Sequence, residues 1–437
     1  MYSPAVQSSR AAKNFTGSKV KLFGRSALYL LFYVTIFFPF VSIYQVGTDM
    51  QPYSFLLAII ILMTFKHRLR INIAFLLLTV VFLVSLIIML IDKVDFSSIR
   101  SVFNYAQLFL VSYVTFLILK TGRADVSKFL IASCLIWLVI GVIQVTFDKT
   151  FLTEIVSSSR TTPSRGVTSL ASEPTMFGII LIFYVLFFLH LKPKGYYTLI
   201  LLCSLGIVFL AKASMAFLLI FFISIFYIVF LGNLFSILWS LVAFLALGYG
   251  ILDFLESSRI SILLTRLFES PSLILLDASI HDRVFHVIGS VRGFVINFGL
   301  PQGFHNWSEY LVLMSESSNF FDSQKLSDAR IMSGFGGALF ELGAFGVVLI
   351  FVFLRLLWRS YSTDLRSFLF FGVSVVMVMF TAIPVGFSYF AFYIGFLAYF
   401  CSSFRQYGKV RIVASARFGR YTSDPNLISS RSSANLM

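Results

Sequence analysis

Long apolar segments that lack charged side chains recur along most of this chain. The segment 72–91, for example, holds no acidic or basic residue, and a helix of about 20 such residues crosses the hydrocarbon core of a bilayer. Over the whole 437 residues, 58% are hydrophobic and only 12% are charged. A soluble fold of this size could not bury so much apolar surface, so the composition predicts an all-α polytopic membrane protein.

The apolar segments and the polar breaks between them predict about 12 transmembrane helices within residues 27–404. A basic tail, 1–26, precedes them without the apolar centre of a cleavable signal peptide, and a basic, serine-rich tail, 405–437, is predicted to be disordered. Two loops are long, 148–174 and 252–332, and we expect the larger to be partly helical. The predicted spans are 27–43, 52–65, 72–91, 101–119, 129–147, 175–191, 196–211, 213–231, 234–251, 333–354, 367–383 and 387–404.

The distribution of charge predicts the orientation of the chain. With twelve spans and an inward N-terminus, the inside segments hold 22 of the 34 lysines and arginines but only three of the 19 acidic residues. This asymmetry follows the positive-inside rule, so both termini are predicted to be cytoplasmic and the two long loops periplasmic. The net charge of +15 therefore concerns orientation and anionic lipid headgroups. Nucleic acid is not an expected partner, because no basic stripe coincides with a folded module.

Missing motifs exclude several classes of catalytic site. The three cysteines, Cys134, Cys203 and Cys401, all lie in apolar segments and predict neither a disulfide framework nor a metal site. The chain has no Walker loop, no His-Glu-x-x-His zinc motif and no Gly-x-Ser-x-Gly elbow. We therefore expect no metal, no cofactor and no nucleotide hydrolysis, and we place the function in the two long loops.

A polar stretch at residues 160–178, RTTPSRGVTSLASEPTMFG, interrupts the apolar pattern in the first long loop. Glu173 followed by Pro174 is typical of a helix start, because proline is tolerated in the first turn and keeps the preceding residue extended. Glu173 is therefore predicted to lie at the lip of a membrane helix, where the helix dipole favours a carboxylate. A structural cap and a functional carboxylate both fit this position.

Residues 277–299 of the larger loop show helical periodicity. At 100° per residue, Asp282 and His286 share one face with Arg283 at its edge, and the opposite face is apolar. This pattern predicts a helix that lies on the protein or on the membrane surface and directs these side chains towards water or a cleft. A solvated polar face is the simpler interpretation, with Asp282 and His286 in an ordinary contact one turn apart. A turn rich in glycine and proline then leads to His305.

The chain re-enters the apolar region at residues 333–346, where glycines are dense. Gly334 and Ala338 have the small-xxx-small spacing that lets helices pack closely. Glu341 would lie about 12 Å into this span by helical rise. A carboxylate inside a membrane is a functional candidate by default, and a structural hydrogen bond inside the bundle fits the same residue equally well.

Short motifs lie in the first long loop and at the start of the span after it, at the turn between the spans 196–211 and 213–231, and in the span that follows the larger loop. They are Arg165-Gly166, Ser172-Glu173-Pro174-Thr175 with Phe177-Gly178, Ala211-Lys212-Ala213-Ser214 and Phe340-Glu341-Leu342-Gly343. Together with the twelve-span layout and a larger loop that contains an arginine and a glycine turn, they resemble the Wzy family of O-antigen and capsule repeat-unit polymerases.

The resemblance implies a glycosyltransferase of the bacterial inner membrane. Its reaction transfers a glycan from undecaprenyl pyrophosphate to a hydroxyl of another lipid-linked repeat unit, on the periplasmic face, and so builds O-antigen, capsule or exopolysaccharide. The activated donor supplies the energy, and no cofactor is needed. The implied partners are the lipid-linked donor and acceptor, membrane lipids, and a chain-length regulator and flippase of the same pathway.

The chemistry implied by the resemblance requires cations for the pyrophosphate and an apolar groove for the polyprenyl chain. Arginine suits the first task because its planar fork grips phosphate oxygens. Arg165 and Arg283 are predicted to bind the pyrophosphate, and Glu341 is placed among the substrate-binding residues. The predicted helpers are Arg160, Lys212, Arg330 and Arg292, the last of which is separated from Gly303 by ten residues, a spacing similar to one in some polymerases.

A base must also take the proton of the acceptor hydroxyl. Glu173 is predicted to be essential, as a carboxylate that orients the acceptor or stabilises an oxocarbenium-like state. A histidine would then accept the proton. His305 is preferred because its turn would be free to approach the stretch 160–178, and His286 is the second candidate.

Two other functions fit the same layout. The related O-antigen ligases share it, but they commonly carry a His-Asn pair close before the span with Glu-x-Gly, whereas His305-Asn306 lies well upstream here. A flippase or other transporter of lipid-linked oligosaccharides would also have many spans. It would place ionisable groups along a path through several helices, whereas here the charges gather in the two long loops.

Overall fold

The computed structural model describes residues 26–42, 50–64, 72–121, 126–156, 159–160, 166–232, 278–316 and 331–402. Within these ranges the chain is helical, apart from its turns and loops and an isolated antiparallel bridge between Val41 and Val156. The predicted span 234–251, Arg165, Arg330 and nearly all of both tails lie outside the described residues.

The described helices follow the predicted apolar segments closely. A π-helical turn, Gly206–Ala211, extends the seventh helix, and a short 3-10 turn, Thr153–Ile155, lies in the first long loop. Numbered along the chain, the helices are α1 (Ser26–Phe37), α2 (Tyr53–Thr64), α3 (Ile73–Ile91), α4 (Phe96–Lys120), α5 (Val126–Thr146), α6 (Pro174–Leu191), α7 (Tyr196–Leu205), α8 (Ser214–Leu231), α9 (Ala278–Ile296), α10 (Trp307–Glu316), α11 (Gly334–Leu342), α12 (Ala344–Ser360), α13 (Leu365–Thr381) and α14 (Ser388–Ser402).

Five of these helices, α3, α4, α5, α6 and α8, are long and apolar enough to cross a membrane, and shorter apolar helices accompany them. The prediction of a helical membrane protein is therefore confirmed. The total of twelve spans stays a prediction.

The middle of the bundle is formed by α4 and α6, whose residues are mostly buried, whereas most residues of α3 face outward. Large aromatic side chains surround the end of α1. There the carbonyl of Phe37 accepts hydrogen bonds from the Trp137 indole at 3.0 Å and from the Tyr389 hydroxyl at 2.7 Å. Backbone groups at a helix end inside a membrane need such partners, and here α5 and the start of α14 provide them.

The predicted span 333–354 is divided into α11 and α12, which corrects the expectation of one continuous helix. The division lies at Gly343, whose backbone has φ of 59° and ψ of −130°. Glycine adopts this conformation without steric cost, whereas a residue with a Cβ is strained in it.

A turn of the larger loop fills this break. The N–H of Gln302 donates to the carbonyl of Phe340 at 3.0 Å. Next along the turn, the N–H of Gly303 donates to the carbonyl of Glu341 at 3.3 Å. In return, the N–H of Ala344 donates to a carbonyl of the same turn at 2.7 Å. Broken helices are tolerated at membrane depth when other parts of the protein satisfy the freed backbone groups, and this turn does so.

We expect Gly343→Ala to lower thermal stability and Gly372→Ala to leave it nearly unchanged. The backbone strain at residue 343 costs about 1–3 kcal/mol, and an added Cβ would collide with the backbone of Gly299. Gly372, in α13, is the matched control, because a Cβ there would meet only two leucine side chains, the nearer at 3.5 Å. The measurement is the unfolding midpoint of the detergent-solubilised protein. A Gly343→Ala protein with the wild-type midpoint would show that the break is not essential to the fold.

The amphipathic helix predicted at 277–299 is present as α9, but its faces are oriented differently from the simpler expectation. Arg283 and His286 are only 5% and 0% exposed, and α9 packs against α11 and α13. The apolar side points outward, with Val295 62% exposed and Phe298, just beyond the helix, 94% exposed. The interpretation of a solvated polar face is therefore wrong for Arg283 and His286.

Candidate functional site

A cavity of about 430 Å³ lies between α4, α11 and the loop that joins α13 to α14. One part of its wall is polar and includes an arginine, a carboxylate, two amides and several hydroxyls. The rest is apolar. The polar lining residues are Ser97, Arg100, Ser101, Asn104, Tyr105, Gln107, Ser333 and Glu341, and the apolar ones include Phe40, Met50, Phe96, Phe103, Met176 and Phe387.

The polar wall comes mainly from one face of α4. Ser97 and Ser101 are four residues apart, and so are Arg100 and Asn104, so the two pairs lie side by side on the same face of the helix. The helix begins at Asp95, whose carboxylate accepts the N–H of Ser98 at 2.8 Å. This cap fixes the start of α4, and therefore places Arg100 in the second turn.

The opposite wall comes from α11. Gly334, Gly337, Ala338 and Glu341 all line the cavity and share one face at helical spacing. Three of the four have almost no side chain, so the helix leaves open space in front of Glu341. The hydroxyl of Ser333 caps this helix by accepting the N–H of Gly336 at 2.9 Å.

Glu341 is held by a hydroxyl group of α4. The Tyr105 hydroxyl donates to its Oε2 at 2.6 Å, and the Ser101 side chain also hydrogen-bonds with the carboxylate. Glu341 thus makes the structural hydrogen bond inside the bundle and also borders the cavity, and its functional role stays a prediction. A carboxylate held in this way keeps a fixed position from which it can meet a ligand hydroxyl.

Arg100 is a cationic side chain in the wall of the cavity. Its guanidinium can form paired hydrogen bonds with phosphate oxygens. The cavity therefore combines a cation, a carboxylate and amide groups with an apolar wall. Together these groups suit a ligand with a phosphate, sugar hydroxyls and a lipid chain.

Glu173 occupies the N-cap position of α6, as predicted, but its side chain makes no capping hydrogen bond. It pairs instead with Arg160, at 3.3 Å between Nη1 and Oε1. Met176, less than one turn further along the same helix, lines the cavity. Glu173 thus lies close in sequence to the cavity wall without being part of it.

His305 is held on the turn between α3 and α4. Its Nε2 lies 2.7 Å from the Ser98 hydroxyl, 3.0 Å from the Lys93 carbonyl and 3.3 Å from Asp95. Hydrogen bonds from Ser98, above all from its backbone N–H, lower the pKa of Asp95, and the nearby His305 adds to this effect. The expectation that His305 would be free to approach the stretch 160–178 is therefore wrong. The imidazole lies beside the start of α4 instead, in contact with Ser98, whose neighbour in the sequence, Ser97, lines the cavity.

The remaining described candidates contact different parts of the fold. Arg283 is buried and donates from Nη1 to the Ala382 carbonyl at 2.9 Å, at the end of α13. Lys212 lies near Lys149, whose pKa is lowered first by burial and then by this second cation. Burial raises the pKa of Tyr310, and the positive charge of Arg292 partly opposes this rise. Two described pairs join residues that the sequence analysis named, Arg160 with Glu173 and His286 with Asp282.

The sequence interpretation missed the polar face of α4. The predicted span 101–119 excludes Arg100, and its interior is predicted only as an apolar helix. The predicted site residues therefore do not include Arg100, Asn104, Tyr105 or Gln107. A signal was present, since polar residues recur at helical spacing from Ser97 to Asn104, the pattern of a membrane helix with one face turned inward.

Within the described ranges, no group of three or more histidine, cysteine, aspartate or glutamate side chains could hold a metal ion. A comparison with protein-family models yields no match, and a comparison with curated proteins yields none either.

Proposed function

We propose that this protein is a membrane glycosyltransferase that polymerises undecaprenyl-pyrophosphate-linked repeat units into a surface polysaccharide. The observation that carries the proposal is the cavity, which places Arg100 and Glu341 in one space with an apolar wall. Ligand sites of this kind combine apolar lining with a few placed polar groups. The resemblance to the Wzy family supplies the reaction.

In the proposed reaction, a sugar hydroxyl of the acceptor attacks the anomeric carbon of the donor glycan. A new glycosidic C–O bond forms while the C–O bond to the pyrophosphate breaks. The lipid pyrophosphate leaves with the bonding electron pair, and the hydroxyl proton passes to a base. No other co-reactant is required, because the pyrophosphate is already an activated leaving group.

The cavity residues divide these tasks. Arg100 binds the pyrophosphate through its planar fork, which also stabilises the charge that develops as this group leaves. Glu341 accepts the proton, since a base must come within hydrogen-bonding reach of the reacting hydroxyl. Glu173, paired with Arg160 at the start of α6 and outside the cavity lining, orients the acceptor. His305, outside the cavity lining, stays a candidate base at the start of α4.

We propose that the chain crosses the bacterial inner membrane twelve times, with both termini in the cytoplasm and the two long loops in the periplasm. The asymmetry of positive charge supports this orientation. Cysteines placed at the exposed residues Glu154 and Ser308 should react with an impermeant thiol reagent in intact spheroplasts. Cysteines at the exposed residues Lys194 and Thr363 should react only after permeabilisation, and the wild-type chain gives the background. The reverse pattern would establish the opposite orientation.

A ligase is the second candidate and a transporter the third. The ligase shares the groups that the cavity provides and differs only in the acceptor. A transporter needs ionisable groups along a path across the membrane. The described charges of this cavity instead stand together, with Arg100 in the second turn of α4 and Glu341 near the end of α11. Because both charges line a single cavity, this arrangement favours a reaction at one site over transport across the membrane.

The test is reconstitution of the purified protein in liposomes with lipid-linked repeat units alone. A polymerase produces glycans of two or more repeat units under these conditions. A ligase forms new bonds only after a different acceptor lipid is added. A transporter moves the lipid-linked glycan between leaflets and forms no glycosidic bond. The ligase outcome or the transporter outcome would overturn the proposal.

A further inference from the structure

His286 is a fully buried histidine whose two ring nitrogens both have partners. Its Nδ1 lies 3.1 Å from the backbone nitrogen of Met332, and its Nε2 lies 3.1 Å from Oδ1 of Asp282. The imidazole is 0% exposed and packs at 5.1 Å, between ring centroids, from the Trp307 indole. Gly289 leaves room for this indole, since a Cβ there would come within 3.0 Å of it.

The two partners determine which nitrogen carries the proton. The backbone N–H of Met332 can only donate, so Nδ1 must accept and is unprotonated. The proton therefore resides on Nε2 and is donated to the Asp282 carboxylate. In this tautomer the nitrogen that could accept a proton is already occupied by the chain itself, so the geometry does not fit the predicted role of His286 as a base.

The bond to Met332 holds a part of the chain that forms the cavity. Ile331 and Ser333, on either side of Met332, both line the cavity. Ser333 is also the N-cap of α11, the helix that carries Glu341. A change in the backbone at residue 332 would thus move a wall of the cavity and the cap of the helix behind it.

We propose that His286, oriented by Asp282, is a positioning residue that holds the backbone of Met332 and thereby the wall of the cavity. It never contacts the substrate. The effect on activity rests on the proposed function, whereas the bond to Met332 does not, so the two can be tested separately.

Asparagine and glutamine distinguish positioning from proton transfer. At residue 286, asparagine can place an amide oxygen where Nδ1 stands and so accept the Met332 N–H, whereas glutamine extends its amide towards the place of Nε2. Neither amide can act as a base. If His286 positions the chain, His286→Asn retains the bond and His286→Gln loses it.

The first measurement is hydrogen exchange at the Met332 amide in the purified protein, by mass spectrometry without substrate. We expect strong protection in the wild type and in His286→Asn, and about tenfold or greater loss of protection in His286→Gln, because an unpaired buried N–H is costly and the segment opens more readily. His281→Gln, on the same helix, serves as the control and should leave protection at Met332 unchanged. Rapid exchange of Met332 in the wild type would overturn the proposal even if the glutamine variant fails to fold.

The second measurement is the rate of glycan extension by the same variants in liposomes. Asparagine should retain most of the wild-type rate, and glutamine should raise KM more than it lowers kcat, because the cavity wall is displaced and the reacting groups are kept. Equal and complete loss in both variants, with Met332 still protected, would identify His286 as a proton-transfer residue and overturn the proposal. If the wild type extends no glycan, the proposed function fails, and hydrogen exchange still decides the role of His286.

Discussion

We expect the rate of glycan extension to fall by about 100-fold or more when Arg100 is replaced by alanine, as happens when an enzyme loses a group that stabilises developing charge. The loss should be large because the residue lines the cavity and would bind the group that leaves. Arg100→Lys keeps the charge but not the planar fork, so it should restore only part of the rate. The rate is measured in liposomes that hold equal amounts of each protein.

A matched control for this prediction is Arg366→Ala. Arg366 is exposed at the start of α13 and interacts with Asp364, so it offers the same charge outside the cavity, and its loss should leave the rate unchanged. If Arg100→Ala extends glycans as fast as the wild type, the cavity does not bind the pyrophosphate. If Arg100→Ala and Arg366→Ala lose activity equally, the loss reflects the lower positive charge of the protein and not a role of Arg100 in the cavity.

The second large effect is expected for Glu341→Gln. Glutamine has the same shape and can still accept the hydrogen bond from Tyr105, but it cannot take a proton. General base catalysis contributes about 100-fold to 10,000-fold, and we expect a loss within this range in the liposome assay. Tyr105→Phe removes only the hydroxyl that holds the carboxylate, so it should reduce the rate less than Glu341→Gln.

Two other carboxylates are the controls for Glu341. Glu154→Gln, in the exposed 3-10 turn of the first long loop, should be fully active. Glu173→Gln tests whether the essential carboxylate is Glu341 in the cavity or Glu173 at the start of α6. If Glu173→Gln is inactive while Glu341→Gln works normally, then Glu341 has only a structural hydrogen bond and the earlier expectation for Glu173 is correct.

Much of the fold could be predicted from the sequence because its dominant signal, apolar length, is local. The helix α3 illustrates this, since a predicted span of 72–91 became Ile73–Ile91. The break at Gly343 could not be predicted, because it depends on a turn some 40 residues earlier that satisfies the freed backbone groups. Glycines in a span can allow close helix packing or form a helix break, and the sequence does not distinguish these two roles.

The orientation of α9 shows a second limit. Helical periodicity defines two faces, but it does not say which face meets the bundle. For a soluble protein the apolar face is the inner one. A protein in a membrane can place its polar groups inside and its apolar groups outside, and the buried His286 and exposed Val295 follow this second rule.

The candidate site was predictable only in part. Glu341 stood out because a carboxylate in an apolar segment is rare. Arg100 did not, because it lies at the end of a span, where basic residues usually reach towards the headgroups. Only the three-dimensional contact between α4 and α11 shows that it shares a cavity with Glu341.

The contact between Arg283 and Ala382 constrains the order in which the protein can be completed. These residues are 99 positions apart, and the guanidinium is buried against the Ala382 carbonyl. During translation, α9 leaves the ribosome well before α13 has been made, so this hydrogen bond cannot form at first. The contact between α9 and the end of α13 therefore forms only after the C-terminal part of the chain has been made.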